Sequence, residues 1–499
     1  MPAYNPVRRR PQWLAASAVL TLTGPLAWAA TATYTVGADA ALTRLDVRAC
    51  FADTPPQSLR GASRRASQLL ERAVLVRGGE RRVLRSSGRT LNLSDAEAGD
   101  CVEYRVRLEA SQDQWASVRR WGGAVLAPSS LFLWRPSEPQ AQVELRFALP
   151  ADFEISAPWP ELPGKAHSYR LTDAPASWDD QVAIGRLERF DLPVKGGRLR
   201  VALVGELGDY PDHRFQTWLA EAAGAVGGLY GRWPQPETQV LVLASRQSRT
   251  AVPWGQVLRG GSPAVLFVVN PDRSLADYRA DWTAVHEFAH LLLPYVSRND
   301  AWVSEGIASY YQNLLRARAG MLTPADAWSK LWAGFNRGRQ ATNAELTLAE
   351  ATRERYGGNL MRVYWSGAAL ALEADIELRR HPGSTGGLDV VLDRLSRCCL
   401  EPGRLWRGEQ LFRKLDELAG TEFLEPLYWQ YAGSRQFPDV GALYRALGIE
   451  PDGESVHLRG DTLQRSLRTA IDGSATHVDD VRAASTSLQR DATEADGPR

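Results

Sequence analysis

The chain has 499 residues, 44% hydrophobic and 23% charged, with 59 Lys and Arg against 58 Asp and Glu for a formal charge of +1. That length allows roughly two to four domains with a large core, and the composition excludes a disordered chain. The even charge excludes a polybasic nucleic-acid binder, which needs a positive surplus for phosphate.

Arg8, Arg9 and Arg10 open a basic segment, followed by an apolar stretch from Trp13 to Leu26 broken by Gly24 and Pro25, and then by Ala27-Trp28-Ala29. This is the pattern of a secretory signal over residues 1–29. An uncleaved anchor is the alternative, but the stretch falls short of the roughly 20 residues a comfortable span needs. No Cys stands near the cleavage point, so lipid attachment is not expected. No later segment is a continuous apolar run of spanning length. The mature protein is therefore expected to be exported, periplasmic or secreted, with no stable membrane span.

Residues 30–198 read as a β-rich, sandwich-like block. Tyr34-Thr35-Val36, Cys101 to Leu108 and Gln142 to Phe147 alternate polar and apolar residues, as half-buried strands do, and Pro-rich turns separate them. Cys50 and Cys101 flank strand-like sequence, and an exported chain permits a disulfide between them; two buried thiols are the alternative.

From 199 the pattern changes. Leu199–Val204 reads as a strand, Arg214–Tyr230 as an amphipathic helix, and Gln239–Leu243 and Ala264–Val269 as two apolar strands. Helical periodicity then covers Tyr278–Leu293, Trp302–Ala319, Thr323–Phe335, Arg362–Leu378 and Leu388–Leu395, with further helix near Gly408–Ala419 and Gly441–Leu447. Cys398 and Cys399 are adjacent. A bond between neighbours strains the peptide joining them, so two separate thiols are expected there. Residues 474–499 are rich in Ser, Thr, Asp and Ala and read as an unstructured tail.

One segment carries chemistry: His286-Glu287-Phe288-Ala289-His290. Positions i and i+4 of a helix lie on one face, so both imidazoles can reach one metal ion. Glu287 then stands beside the water such a metal activates, placed to accept its proton. The alternative is a pair of histidines satisfied inside a helical core. A hydrolytic site that stays open for water needs a third protein donor. Downstream stands Trp302-Val303-Ser304-Glu305-Gly306-Ile307-Ala308-Ser309-Tyr310, after a turn-forming stretch with Pro294 and Ser297-Arg298-Asn299-Asp300. A second helix starting there can run back and present Glu305. Two His and a carboxylate with an open position favour zinc.

HExxH followed by W-x-x-E-G-x-A-x-Y resembles the gluzincin metallopeptidases, in particular the glycyl and alanyl aminopeptidase families. The resemblance covers about 200–450, and Phe288 to Asn313 with the C-terminal helices is nearer the glycyl family. It implies an α+β multidomain architecture. An N-terminal β-sandwich-like block over 30–198 precedes a thermolysin-like α/β catalytic domain with the HExxH helix over 199–335, and a helical C-terminal part follows over 336–473. It implies Zn2+ as cofactor, held by His286, His290 and Glu305, with Glu287 as general base and a peptide or protein as substrate. Alanyl-family enzymes carry a Tyr in Y-x-K-G-A that stabilises the oxyanion. Tyr364-Trp365-Ser366-Gly367-Ala368 matches with Ser366 in the Lys position, so the resemblance assigns that role to Tyr364; a packing Tyr at a helix start is the alternative.

These families bind the substrate's amine with a Gly-rich edge segment ending in Glu. The corresponding stretch here is Arg259-Gly260-Gly261-Ser262-Pro263, which lacks the Glu. Gly260 and Gly261 could still admit a peptide backbone as an added strand. Exopeptidase or endopeptidase action therefore stays open. The competing reading is a non-catalytic peptide- or glycan-binding protein on the same scaffold. Its 17 Trp could face sugars, although core packing is their ordinary use. Oligomeric state is not legible.

Overall fold

Strand alternation in the first half of the chain sorts side chains into a buried and an exposed face. In the computed structural model, which describes residues 32–109, 117–137, 143–172, 174–207, 213–381, 383 and 386–473, Tyr34, Val36, Leu45, Val47, Ala49, Val102, Tyr104 and Val106 all point into one core. The signal-like segment 1–29 and the tail from 474 lie outside the described residues.

These strands build a seven-stranded sheet in the order Ser168–Arg170, Val143–Ala148, Ala32–Ala38, Arg44–Cys50, Cys101–Arg107, Leu70–Arg77, Glu80–Leu84. All neighbours are antiparallel except Ala32–Ala38 with Val143–Ala148. Two four-stranded sheets complete the block. Buried tyrosines anchor the sheet to the segment it packs on: the Tyr34 hydroxyl donates to the Trp134 carbonyl (2.8 Å) and that of Tyr104 to Phe132 (3.1 Å). Cys50 and Cys101 face each other on paired strands, Cα atoms 4.1 Å apart, and are disulfide-bonded. Cys398 and Cys399 are also bonded to each other, against the expectation of two thiols. The helix Leu388–Cys398 ends between them, and Cys399 leaves helical geometry (φ −138°, ψ 11°), which brings the two sulfurs together.

The second unit is a five-stranded sheet in the order Glu188–Val194, Gly197–Val204, Glu237–Ala244, Ala264–Val269, Trp254–Leu258. The middle three strands are parallel and both edge strands antiparallel. The sheet thus begins at Glu188, inside the segment assigned to the β-rich block. Its central strands are apolar on both faces because both are covered. Val201, Val242, Val265 and Phe267 face the helices, while Ala202, Leu241, Leu243 and Leu266 pack on Ala124, Leu126 and Ala183 of the first block. Each of the valines, leucines and Phe267 among them contributes about 1.5–3 kcal/mol on burial.

The long segment Tyr278–Leu293 is not one helix. It divides into Leu275–Ala280, Thr283–Ala289 and a single 3-10 turn, His290–Leu292. Ser274 and Asp277 form a capping box on the first piece. The chain then extends at Asp281 (φ −71°, ψ 145°), whose carboxylate accepts the Thr283 N–H at 2.8 Å. This break sets the direction of the motif helix.

The helices that follow are Ala301–Arg318, Pro324–Gln340 and Leu360–Arg380. The first and last cross at Gly306 and Gly367. A methyl group on either would collide with backbone of the other helix, so the absence of side chains there permits the contact. The helices Leu348–Arg353, Leu424–Gly433 and Thr462–Asp472 went unread in the sequence. No described helix is long and apolar enough to cross a membrane. Trp134, Trp159, Trp233, Trp302 and Trp328 are among the largest fully buried side chains, so much of the tryptophan content is core.

Candidate metal centre

The motif helix Thr283–Ala289 is buried along its length, with Phe288 wedged edge-on against Trp233 and Phe267 on the sheet. That packing fixes the rotation of the helix and turns His286 and His290 toward the helix Ala301–Arg318. The two imidazole planes are perpendicular, their centroids 4.9 Å apart. Glu305, in the second turn of its helix, places Oε2 3.3 Å from the Nε2 atom of both His286 and His290. One ligand atom from each of the three residues falls within 4.8 Å of the other two.

Both histidines are held from behind. His286 Nδ1 lies 2.8 Å from Gln312 Oε1, and His290 Nδ1 lies 3.0 Å from Ser304 Oγ. An amide oxygen only accepts, so His286 donates its Nδ1 proton to Gln312, and Nε2, which also meets Glu305 at 3.3 Å, is the nitrogen left to face a metal. Sequence reasoning missed Gln312. Its signal was available, since it follows Glu305 by two helical turns and shares its face. Two nitrogen donors and a carboxylate, with the imidazoles oriented through their far nitrogens, make a donor set that suits a zinc ion.

The electrostatics follow from closeness. Burial pushes Glu305 up, but His290 and His286 outweigh it and hold its carboxyl well below the ordinary range. Burial lowers His286, yet Glu305 and Glu287 raise it above its usual value on balance. Glu287 is raised: burial dominates, against the lowering effect of the two histidines and a backbone hydrogen bond from Val257. A carboxylate pushed upward is a better proton acceptor near neutral pH.

Val257 belongs to the edge strand Trp254–Leu258, which the sequence reading missed. A β-carbon on Gly255 of that strand would stand 2.5 Å from Glu287 Cγ, so the strand closes on the motif helix only because position 255 has no side chain. Gly260 and Gly261 lie elsewhere. Gly260 donates its N–H to the Asp179 carbonyl, and a β-carbon on it would meet the Trp178 carbonyl at 2.6 Å. One on Gly261 would strike the Pro158 carbonyl. They seat the loop against the first block, so the glycine that the structure brings to the motif is Gly255. Between them, Arg259 donates to the His290 carbonyl at 2.7 Å and the Leu293 carbonyl at 3.3 Å, a cation at the C-terminal end of the motif helix.

Tyr364, in the second turn of Leu360–Arg380, stacks parallel to His286 with ring centroids 5.9 Å apart. Burial raises its hydroxyl pKa strongly, reinforced by the charges of Glu305 and Glu287 and a hydrogen bond to Glu305, so the phenol stays protonated and a donor. The structure therefore brings together five of the seven singled-out residues: His286, Glu287, His290, Glu305 and Tyr364.

Comparison with known proteins finds the same resemblance. The family profile of the M61 glycyl aminopeptidases matches residues 294–369, which include Glu305 and Tyr364. No curated protein matches the chain in sequence. Among solved structures, an aminopeptidase N family protein from Idiomarina loihiensis aligns with a TM-score of 0.65 at 16% identity, over 84% of this chain and 78% of that one. An M1 zinc metallopeptidase from Deinococcus radiodurans aligns with a TM-score of 0.52 at 17% identity, over 82% of this chain and 94% of that one. A variant of the Deinococcus enzyme bound to the substrate Tyr-Ser-Ala aligns at 0.50 and 17% identity over the same shares. The chain thus has a mixed α and β multidomain fold similar to theirs, and it resembles gluzincins of the glycyl and alanyl aminopeptidase type.

Proposed function

We propose that this protein is a zinc-dependent metallopeptidase that hydrolyses peptide bonds, exported by the segment 1–29. The observation that carries the reading is the convergence of His286, His290 and Glu305, with ligand atoms within 4.8 Å of one another. These three would hold Zn2+, in a thermolysin-like α/β unit whose edge strand and motif helix flank the site. Zinc bound there supplies Lewis acidity toward the scissile carbonyl and toward a water molecule.

The chain's own groups do the rest. Glu287, raised by burial and steadied by the Val257 amide, takes the proton from water and passes it to the leaving amine. Tyr364, protonated beside Glu305, donates a hydrogen bond to the oxyanion that forms. Gln312 and Ser304 keep the imidazoles in register. Trp254-Gly255-Gln256-Val257-Leu258 offers an exposed backbone edge for an extended peptide. The M61 and aminopeptidase N descriptions point to aminopeptidase action. That edge strand bears no carboxylate, so a free substrate amine must be met by an acid from another element. The Cys50–Cys101 disulfide fits an oxidising compartment and supports export, periplasmic or secreted.

The test is Glu287→Gln on mixed peptides. The variant should bind zinc like the wild type while turnover falls by about three orders of magnitude or more. Retained, chelator-sensitive turnover would remove Glu287 from its role.

A further inference from the structure

A cleft of about 610 Å³ opens beside the metal centre, and three residues of its wall touch His286. The Trp282 ring stands edge-on to His286 at 5.3 Å, Tyr364 stacks on it, and Gln312 accepts its Nδ1–H. The rest of the lining is basic: Arg316, Lys330 and Arg337 stand there against a single acid, Glu454.

None of those cations forms a salt bridge among the described residues, although Asp281 acts on Arg316 and Glu454 on Arg337 from a distance. Arg316 is 2% exposed; it donates through Nη2 to the carbonyls of Arg279 (3.0 Å) and Ala280 (2.8 Å) and through Nη1 to Asn313 Oδ1 (3.4 Å). Its Nε is buried without a hydrogen-bond partner among the described residues. Arg337 rests over the Trp365 ring at 5.2 Å rather than in a salt bridge. Lys330 is exposed and is held by no carboxylate among the described residues. A surplus of positive charge between low-dielectric walls attracts an anion strongly.

We infer that this cleft is a substrate pocket selective for a carboxylate of the bound peptide, received by Lys330 and Arg337 at its mouth, with Arg316 adding charge from its floor. The inference rests on the peptidase reading, since a carboxylate is the anion a peptide carries. Two sources share that chemistry: an Asp or Glu side chain, or the peptide's own C-terminus.

Binding separates this claim from catalysis. Zinc-loaded Glu287→Gln protein is titrated calorimetrically with three probes: Ala-Ala-Ala amide, Ala-Glu-Ala amide and Ala-Ala-Ala with a free C-terminus. At least one carboxylate probe should bind roughly tenfold tighter than the neutral amide, as one or two charge-assisted hydrogen bonds provide. The tighter probe identifies the source. The advantage should shrink in high salt and in Lys330→Ala, return in Lys330→Arg, and invert in Lys330→Glu/Arg337→Glu. Equal binding of all three probes, no binding of any, or an advantage that survives Lys330→Ala/Arg337→Ala overturns the pocket. Failure of the wild type to cut any peptide would instead overturn the peptidase reading, because the binding comparison does not depend on turnover.

Discussion

Replacing Gln312 by Met removes a single acceptor from behind His286 while nearly preserving side-chain volume. The Gln312 oxygen lies 2.8 Å from His286 Nδ1, and both side chains are buried, at 6% and 2% exposure. Gln312 also lines the cleft beside the site, so water can partly replace the lost partner, and the cost falls toward the low end of the about 1–3 kcal/mol of a buried donor left unsatisfied. The imidazole can also turn or change tautomer, which withdraws the Nε2 lone pair from the side that faces a metal. Orienting partners of metal-bound histidines are worth about 10–100-fold in metal affinity, or about 1.4–2.7 kcal/mol. Gln312→Met should therefore weaken zinc binding within that range, measured by competition with a chromophoric chelator. Ser304→Ala, at the half-buried position behind His290, should cost less than tenfold because solvent can substitute there. Unchanged zinc affinity in Gln312→Met, with the variant folded, would refute the role of this hydrogen bond in setting up the site.

Tyr364→Phe removes the donor but keeps the stack on His286, so zinc content and KM should hold while kcat falls about 10²–10³-fold in steady-state assays. Asp180 gives a pH prediction. Burial raises its carboxyl to about 6, against the hydrogen bonds from the Ser129 amide and hydroxyl. The folded state thus holds that proton more tightly than the unfolded state. The group favours folding most below pH 4 and progressively less as pH rises to 6, a difference of about 3 kcal/mol. Asp180→Asn should flatten the change in urea stability between pH 4 and 6; an unaltered slope would contradict this. Removing the Cys50–Cys101 bond as the double Ala variant opens a loop with 51 residues of separation and should cost up to about 4 kcal/mol in chemical denaturation.

The motif residues were legible because their chemistry is encoded in spacing. His286 and His290 share a helical face whatever surrounds them, and Glu305 follows in a helical segment that can run back toward them. The helix near Gly408–Ala419 was legible because a strong apolar stripe defines it. The edge strand Trp254–Leu258 was not legible. It is short, carries Gly in the middle, and owes its existence to pairing with Ala264–Val269 rather than to its own pattern. Without that strand, the Gly-rich stretch just before Ala264–Val269 drew the reading to Gly260 and Gly261, and Gly255 went unread. The break at Asp281 was hidden because the apolar period runs through it, and the start of the first piece at Leu275 is written only in the Ser274 and Asp277 capping box. The adjacent cysteines were misjudged for a similar reason: where Leu388–Cys398 ends decides whether the sulfurs can meet, and helix ends are weakly written.

The convergence of two imidazoles and one carboxylate is tested most directly by equilibrium zinc titration of the wild type beside Glu305→Ala. One zinc per chain is expected, with affinity reduced at least 100-fold in the variant. Equal stoichiometry and affinity in the two proteins would show that Glu305 holds no metal, and the site described here would not be the one that works.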